Sequence, residues 1–206
     1  MTTSTVRGSY AKSAAVKNRI IEACIDAFAE TGFYGATMKD IAKRAGISYT
    51  GLLHHFPRKE DLLLAVLELR LDRDQEFLAG ANALDAQANP LNVFRGMLDV
   101  IVQNELRPGL LELHCVVSGE ATSPEHPAHE HYVTHYRNLR QFYTQAFMTL
   151  SAHGELGVEV DPQALATMTI SLLNGLQAQW LFDRDAVAME ETFRTFLGVA
   201  VPALGR

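Results

Sequence analysis

The chain has 206 residues and a formal net charge of -6, which is long enough for one generous domain or two modest ones with sizeable cores. Hydrophobic residues make up 48% of it, yet no run approaches the roughly 18 apolar residues of a membrane span, so we expect a soluble protein without a membrane partner. The polar start "MTTSTVRGSYAKSAAVKNR" lacks the apolar segment of a secretory signal, and the two cysteines provide no disulfide framework. Both features favour a cytoplasmic protein.

The charge is unevenly distributed along the chain. Residues 1–60 hold nine basic and five acidic side chains, whereas residues 61–206 hold nine basic and nineteen acidic ones. Every lysine lies at or before Lys59. Because salt screens charges beyond about 10 Å, a basic segment on an acidic chain predicts an anionic polymer, such as nucleic acid, at one end only.

The first third of the chain predicts three helices. The apolar stripe in "KNRIIEACIDAFAETGF" has the spacing of a helix that ends at Gly32. In "TMKDIAKRAG", Thr37 is placed to cap a second helix that stops at Gly46. The third, "SYTGLLHHF", begins after a cap at Ser48 and ends before Pro57.

The two short helices predict a helix-turn-helix. Gly46 supplies the left-handed backbone that the sharp turn needs, and the second helix is then free to enter a groove of DNA. Its first side chains can hydrogen-bond to base edges, and Gly51 allows a close approach of the backbone. The side chains in question are Ser48, Tyr49 and Thr50.

Helical periodicity continues through the rest of the chain. "RKEDLLLAVLELRLDRDQEFLAG" predicts a long helix, and Pro90, Pro108, Pro127 and Pro162 each stand near the start of another helical pattern. We count about nine helices and no convincing strand. The predicted fold class is all-α.

The segment "FAETGFYGATMKDIAKRAGISYTGLLHHFPRKEDLLLAVLE" resembles the DNA-binding domain of the TetR family of bacterial transcriptional repressors. The resemblance implies a DNA-binding domain over residues 1–58, with a loose arm over about 1–11, and a helical ligand-binding and dimerisation domain over 59–206. It also implies a homodimer that binds a palindromic operator on double-stranded DNA and is released by a small-molecule effector. Repression, rather than activation, comes from the resemblance alone.

Carried over position by position, the resemblance predicts a set of DNA contacts. The sequence departs from the family where Leu53 replaces a tyrosine that contacts phosphate, so this contact passes to His54 or His55. The family usually has Gly-Thr at the two positions that are Thr50 and Gly51 in this sequence. Other interpretations stay open: Tyr49 as a surface aromatic and Lys59 as a solvated charge. The predicted contacts are Thr37, Lys39, Ser48, Tyr49, Thr50, Gly51, His54, His55 and Lys59.

The central helices, roughly 91–180, are expected to bind the effector. Aromatic and amide side chains suit a ligand pocket, a subunit interface or plain core packing equally well. The candidate pocket residues are Phe94, Met97, His114, Tyr132, Tyr136, Asn174, Gln177 and Trp180.

The resemblance places the dimer interface in the last two helices, about 162–183 and 186–203. Both are apolar enough to suggest a partner, and a four-helix interface would bury their large side chains. These side chains are Leu172, Leu173, Leu176, Trp180, Phe193, Phe196, Leu197 and Val201.

Other classes of protein fit the sequence less well. His131 and His135 have the i, i+4 spacing of zinc ligands, so a metal-responsive regulator that uses the region from His114 to His135 is the main alternative. An all-helical interaction module that does not bind DNA is a second one. No Gly-rich phosphate loop or nucleophile elbow is present, so we expect neither enzyme activity nor a cofactor.

Overall fold

A computed structural model describes the backbone of residues 4–205 and the side chains of residue 13 and residues 15–205. Within this part of the chain the structure is all-α, with nine α-helices, one short 3-10 helix and no strand. No helix of the described residues is long and apolar enough to cross a membrane. The helices are α1 Ser4–Gly35, α2 Met38–Arg44, α3 Tyr49–His55, α4 Lys59–Gly80, α5 Pro90–Glu105, α6 Pro108–Glu120, α7 His129–Ala152, α8 Pro162–Phe182 and α9 Met189–Ala200, followed by the 3-10 turn Pro202–Leu204.

The predicted helix boundaries of the first third are confirmed by the backbone geometry. Gly32 leaves the helical region with φ 71° and ψ 178°, although hydrogen bonding carries α1 on to Gly35. Gly46 has φ 66°, and the amides of Gly46 and Ile47 donate to the carbonyls of Lys43 and Ala42. This pair of bonds is the Schellman ending of a helix.

The amino terminus differs from its prediction. Residues 1–3 of the predicted loose arm lie outside the described residues, whereas residues 4–11 are the first turns of α1. The segment "STVRGSYAKSAAVKN" contains one glycine and no proline, so nothing in it stops the helix from extending toward the amino terminus. The last helix is also shorter than predicted, because it ends at Ala200 before the turn at Pro202.

The chain divides into two compact units. The N-terminal unit comprises residues up to Arg70 together with Glu112–Ala128, and the C-terminal unit comprises Leu71–Leu111 and the residues from His129 on. The divisions therefore fall within α4, within α6 and at the start of α7, not at the predicted boundary between residues 58 and 59. That boundary stays a prediction about the extent of the DNA-binding part.

The N-terminal unit has a helical core. α2 packs against α1 and against α3. The apolar stripe of α1 is buried, as are Ile41, Ala42, Ala45 and Leu52 of the helix-turn-helix, whereas Ile47 is half-buried. Fully buried side chains from helices α1 to α4 include Ile20, Cys24, Phe28, Ile41, Leu52, Leu62 and Leu63.

The C-terminal unit buries the side chains that we expected a second subunit to cover. α7 packs along α8, and α5 packs against α7 and α9. Leu176, Trp180, Phe193, Leu197 and Val201 lie in this core, and Leu172, Leu173 and Phe196 are partly buried against it. The prediction that a partner chain is needed to bury them is therefore wrong for Leu176, Trp180, Phe193, Leu197 and Val201. The position of the dimer interface stays a prediction.

Candidate nucleic-acid interface

Helix α3, which the sequence predicts to read DNA, is short and capped on its first turn. The Ser48 hydroxyl accepts a hydrogen bond from the Gly51 amide at 3.0 Å, and the helix ends at Phe56. Ser48, Tyr49 and Thr50 are exposed, and 42% of the Tyr49 surface is open to solvent. A capped helix with three hydrogen-bonding side chains on its open first turn has the form required to enter a major groove.

Two histidines follow on the same helix. His54 is exposed and His55 is half-buried, and their ring centroids are 6.3 Å apart in an edge-on arrangement. The exposed ring of His54 is therefore the better placed of the two to replace the family's tyrosine at a phosphate. This assignment stays a prediction.

Helix α2 begins at a threonine cap. The Thr37 hydroxyl accepts from the Asp40 amide at 3.1 Å, so the predicted cap is confirmed, while the predicted phosphate contact stays a prediction. Thr37 remains exposed in this position. The hydroxyl can still donate a hydrogen bond while it accepts one, so capping does not prevent a contact with phosphate.

The basic side chains of α2 fall into two kinds. Arg44 binds Glu30 through two hydrogen bonds at 2.7 and 2.8 Å and Asp40 through a third at 2.7 Å, which fastens α2 to α1. These bonds, first that to Glu30 and then that to Asp40, raise the pKa of Arg44. Lys39 and Lys43 are exposed, and neither ammonium group has an ion pair within the described residues. The structure thus leaves Lys39 and Lys43 open to solvent counterions or phosphate.

We predict that Lys39→Ala and Lys43→Ala each reduce the salt dependence of DNA binding. Each phosphate contact that is lost should reduce the magnitude of the negative slope of log K against log salt by about 0.9. Titrations of one duplex at several salt concentrations measure this slope. Arg95→Ala, which removes an exposed cation of the C-terminal unit, is the matched control and should leave the slope unchanged.

Lys59 makes contacts that the sequence did not predict, and its predicted phosphate contact stays a prediction. Its ammonium group donates to the carbonyl oxygens of Phe33 at 2.7 Å and Ala36 at 3.0 Å, and it lies 4.4 Å from the centre of the Phe33 ring. These carbonyls flank the end of α1, where helix hydrogen bonding runs out. Lys59 therefore ties the first turn of α4 to the connection between α1 and α2.

The α1–α2 junction, residues 32–37, has a second anchor that the sequence did not reveal. The Phe33 amide donates to Glu120 Oε2 at 2.7 Å across 87 positions of sequence. His126 lies edge-on to the Phe33 ring, with centroids 5.2 Å apart. Nothing in the local pattern around residue 120 indicates this role, because the contact depends on how α6 returns to α1.

The predicted pocket residues are divided between the two units. His114 belongs to the N-terminal unit and the other seven to the C-terminal unit. Phe94 and Met97 are core residues. Three of the remaining five have polar groups of note. Asn174 Nδ2 donates to the Tyr136 hydroxyl at 3.0 Å, and the buried Gln177 Oε1 accepts no hydrogen bond from any described residue. Tyr132 is buried, and Trp180 stacks on Arg184 at 4.8 Å.

An open groove of about 520 Å³ lies elsewhere on the C-terminal unit. None of the predicted pocket residues lines it. Its walls are Ala79, Asn82, Leu84, Asp85, Ala86, Gln87, Phe142 and Gln145.

The metal-responsive alternative is not supported. The rings of His131 and His135 lie nearly parallel, with centroids 6.3 Å apart. Among the described residues no group of three histidine, cysteine or carboxylate side chains could surround a metal ion. The i, i+4 spacing is therefore explained by ring stacking along one face of α7.

The fold and the site define a helix-turn-helix protein with an α-helical C-terminal part. Residues 20–66 match the family profile described as bacterial regulatory proteins, tetR family. The HTH-type transcriptional regulator RutR of Escherichia coli K12 is 43% identical over 75 residues, a match that covers 35% of either chain. The chain thus spans about a third of the length of this relative.

Two further comparisons extend over most of the chain. The HTH-type transcriptional regulator TtgR of Pseudomonas putida is 25% identical over 190 residues, which is 88% of either chain. The structure of SmeT, the repressor of the Stenotrophomonas maltophilia multidrug efflux pump SmeDEF, superposes with a TM-score of 0.69 at 17% identity over 90% of either chain. Residues 20–66 thus match the profile of the tetR family of bacterial regulatory proteins, and most of the chain shares the fold of the SmeT structure.

Proposed function

We propose that the protein is a homodimeric transcriptional repressor that binds a palindromic operator and leaves it when a small molecule binds. The exposed, capped helix α3 with Tyr49 and Thr50 on its first turn carries the proposal. Lys39 and Lys43 on α2 add an uncompensated positive surface in the same unit, and phosphate attraction supplies much of the affinity of such proteins for DNA. In this proposal residues 1–58 read the DNA and residues 59–206 bind ligand and partner chain.

The dimer is proposed to form on α8 and α9. Three large apolar side chains of these helices are exposed, namely Met168 at 51%, Phe182 at 92% and Val199 at 64%. A side chain as exposed as Phe182 gains free energy when a partner covers it. Two copies would place their reading helices about 34 Å apart, in successive major grooves on one side of the duplex.

The effector is proposed to bind in the C-terminal unit. SmeT has been solved as a complex with triclosan, which has an aromatic body and a hydroxyl group. In this chain the bond between Asn174 and Tyr136, together with the unsatisfied Gln177 Oε1, offers polar partners within an apolar core. An apolar molecule that carries a hydrogen-bond donor fits this surrounding. Release from DNA requires only that the effector bind the DNA-free conformation more tightly.

The relatives named above are transcriptional regulators, and we therefore propose a regulator and not an enzyme.

Tyr49→Ala tests the proposal. We predict a Kd about tenfold higher for a selected duplex, because a base contact contributes about 1–3 kcal/mol of discrimination, and an unchanged melting temperature, because Tyr49 is exposed. A gel-shift titration and thermal unfolding measure the two quantities. Phe77→Ala is the matched control, since Phe77 is 37% exposed and lies in the C-terminal unit. Equal affinity of both variants and the native protein for the duplex would count against α3 as the reading helix.

A further inference from the structure

Glu120 occupies the space that Gly32 leaves open. A Cβ atom added to Gly32 would stand 2.2 Å from Glu120 Oε1, while Glu120 Oε2 accepts the Phe33 amide at 2.7 Å. Gly32 and Glu120 are thus a matched pair, in which the absent side chain admits the carboxylate. The bond fixes Phe33, which precedes the Thr37 cap of α2 by four residues.

His126 lies beside the same carboxylate. Its side chain is fully buried, and its Nε2 atom stands 3.6 Å from Glu120 Oε2 without a hydrogen-bond partner among the described residues. Its Nδ1 atom accepts the Ala128 amide at 3.1 Å. Because an acceptor nitrogen carries no proton, the neutral ring has its proton on Nε2, the nitrogen nearest to Glu120.

A second proton on His126 cannot be accommodated in this arrangement. It would sit on Nδ1, opposite the Ala128 amide, so that two donors would face each other. Burial lowers the pKa of His126 below its ordinary value of 6.5, while Glu120 acts in the opposite direction. The Tyr34 ring of α1 lies 5.4 Å from the His126 ring between centroids. Glu125, the preceding residue, accepts the Ser123 hydroxyl, and the Lys59 ammonium of α4 lies over the Phe33 ring that His126 contacts.

We propose that Glu120 is a positioning residue for DNA binding and that protonation of His126 releases it. The charged ring loses its bond to Ala128, leaves the apolar slot between Phe33 and Tyr34, and draws Glu120 Oε2 away from the Phe33 amide. The α1–α2 junction then loosens, and α2 and α3 lose their fixed orientation. The inference rests on the proposed DNA-binding function for its consequence, but the contact itself is testable without DNA.

Amide exchange at Phe33 in the DNA-free protein tests the contact. Protection factors correct for the intrinsic pH dependence of exchange, and we expect the factor to fall about tenfold between about pH 7.5 and about pH 5.5, the scale of one charge-assisted hydrogen bond. His126→Asn keeps an acceptor for the Ala128 amide but does not titrate, so its protection should stay high at both pH values. Glu120→Ala should be unprotected at both.

Two further variants keep the test decisive. Glu120→Gln retains an oxygen acceptor and serves if the alanine variant does not fold; it should retain part of the protection at the higher pH. Glu68→Ala removes an exposed carboxylate of the same unit and should behave as the native protein. Native protection that does not change with pH, or that survives in Glu120→Ala, overturns the proposed contact.

The consequence for DNA is measured on a duplex that the native protein selects from a random library at about pH 7.5. Acidification should raise the Kd of the native protein about tenfold, in parallel with the fall in the protection factor. The Kd of His126→Asn should not rise. If the Kd stays constant while the protection factor of Phe33 falls, Glu120 has no positioning role in DNA binding. If the native protein selects no duplex at all, the proposed function is overturned together with that role, even when the exchange data confirm the contact between Glu120 and Phe33.

Discussion

Gly32→Ala is expected to lower the free energy of unfolding by about 3 kcal/mol and to abolish specific DNA binding. The backbone at φ 71° and ψ 178° lies in a region that only glycine adopts readily, at a cost of about 1–3 kcal/mol for other residues. The new Cβ atom would also collide with Glu120 Oε1, 2.2 Å away, and expel the carboxylate from the Phe33 amide. Thermal or urea unfolding measures the loss.

Two variants separate these two causes. Gly46→Ala also places alanine at a positive φ, 66°, but its Cβ meets nothing within 4 Å, so it should cost only about 1 kcal/mol. In the Gly32→Ala, Glu120→Ala double variant the collision is gone, so the two losses should not add. Native stability of Gly32→Ala would contradict the description of the junction.

Lys59→Met is expected to lower the free energy of unfolding by about 2–3 kcal/mol, because two carbonyls lose a charged donor and the Phe33 ring loses a cation. Methionine keeps most of the apolar stem, so the loss reports the ammonium group. Specific DNA binding should weaken with it, since the end of α1 is no longer tied to α4. Urea unfolding and a salt titration of DNA affinity are the measurements.

The salt titration decides between two roles for Lys59. A positioning lysine changes stability and leaves the salt slope nearly constant, whereas a phosphate contact changes the slope by about 0.9 with stability intact. Arg58→Met is the matched control, because Arg58 is its neighbour and pairs with Asp61 at the surface. It should change the free energy of unfolding little. A smaller salt slope with native stability would restore the phosphate contact predicted from the sequence.

Local chemistry explains which features could be predicted from the sequence. Side chains and backbone preferences within four residues determine the helix caps at Thr37 and Ser48 and the helix ends at Gly32 and Gly46. The helix-turn-helix could therefore be predicted from the amino-acid sequence alone. The all-α fold followed from the period of the apolar residues.

Features that depend on distant residues could not be predicted in this way. Lys59 binds carbonyls 23 and 26 positions earlier, and Glu120 binds an amide 87 positions earlier. Periodicity identified the apolar faces of α8 and α9 but not what covers them, because an apolar stripe has the same spacing against the chain's own core as against a partner. The placement of Trp180 and Phe193 in the core is the clearest instance.

The most direct test of the central claim is selection of duplexes from a random-sequence library by the purified native protein at moderate salt. We predict enrichment of a palindrome with half-sites about one helical turn, 34 Å, apart, with each duplex bound by two chains. A protein that stays monomeric and enriches no sequence over random competitor would contradict it.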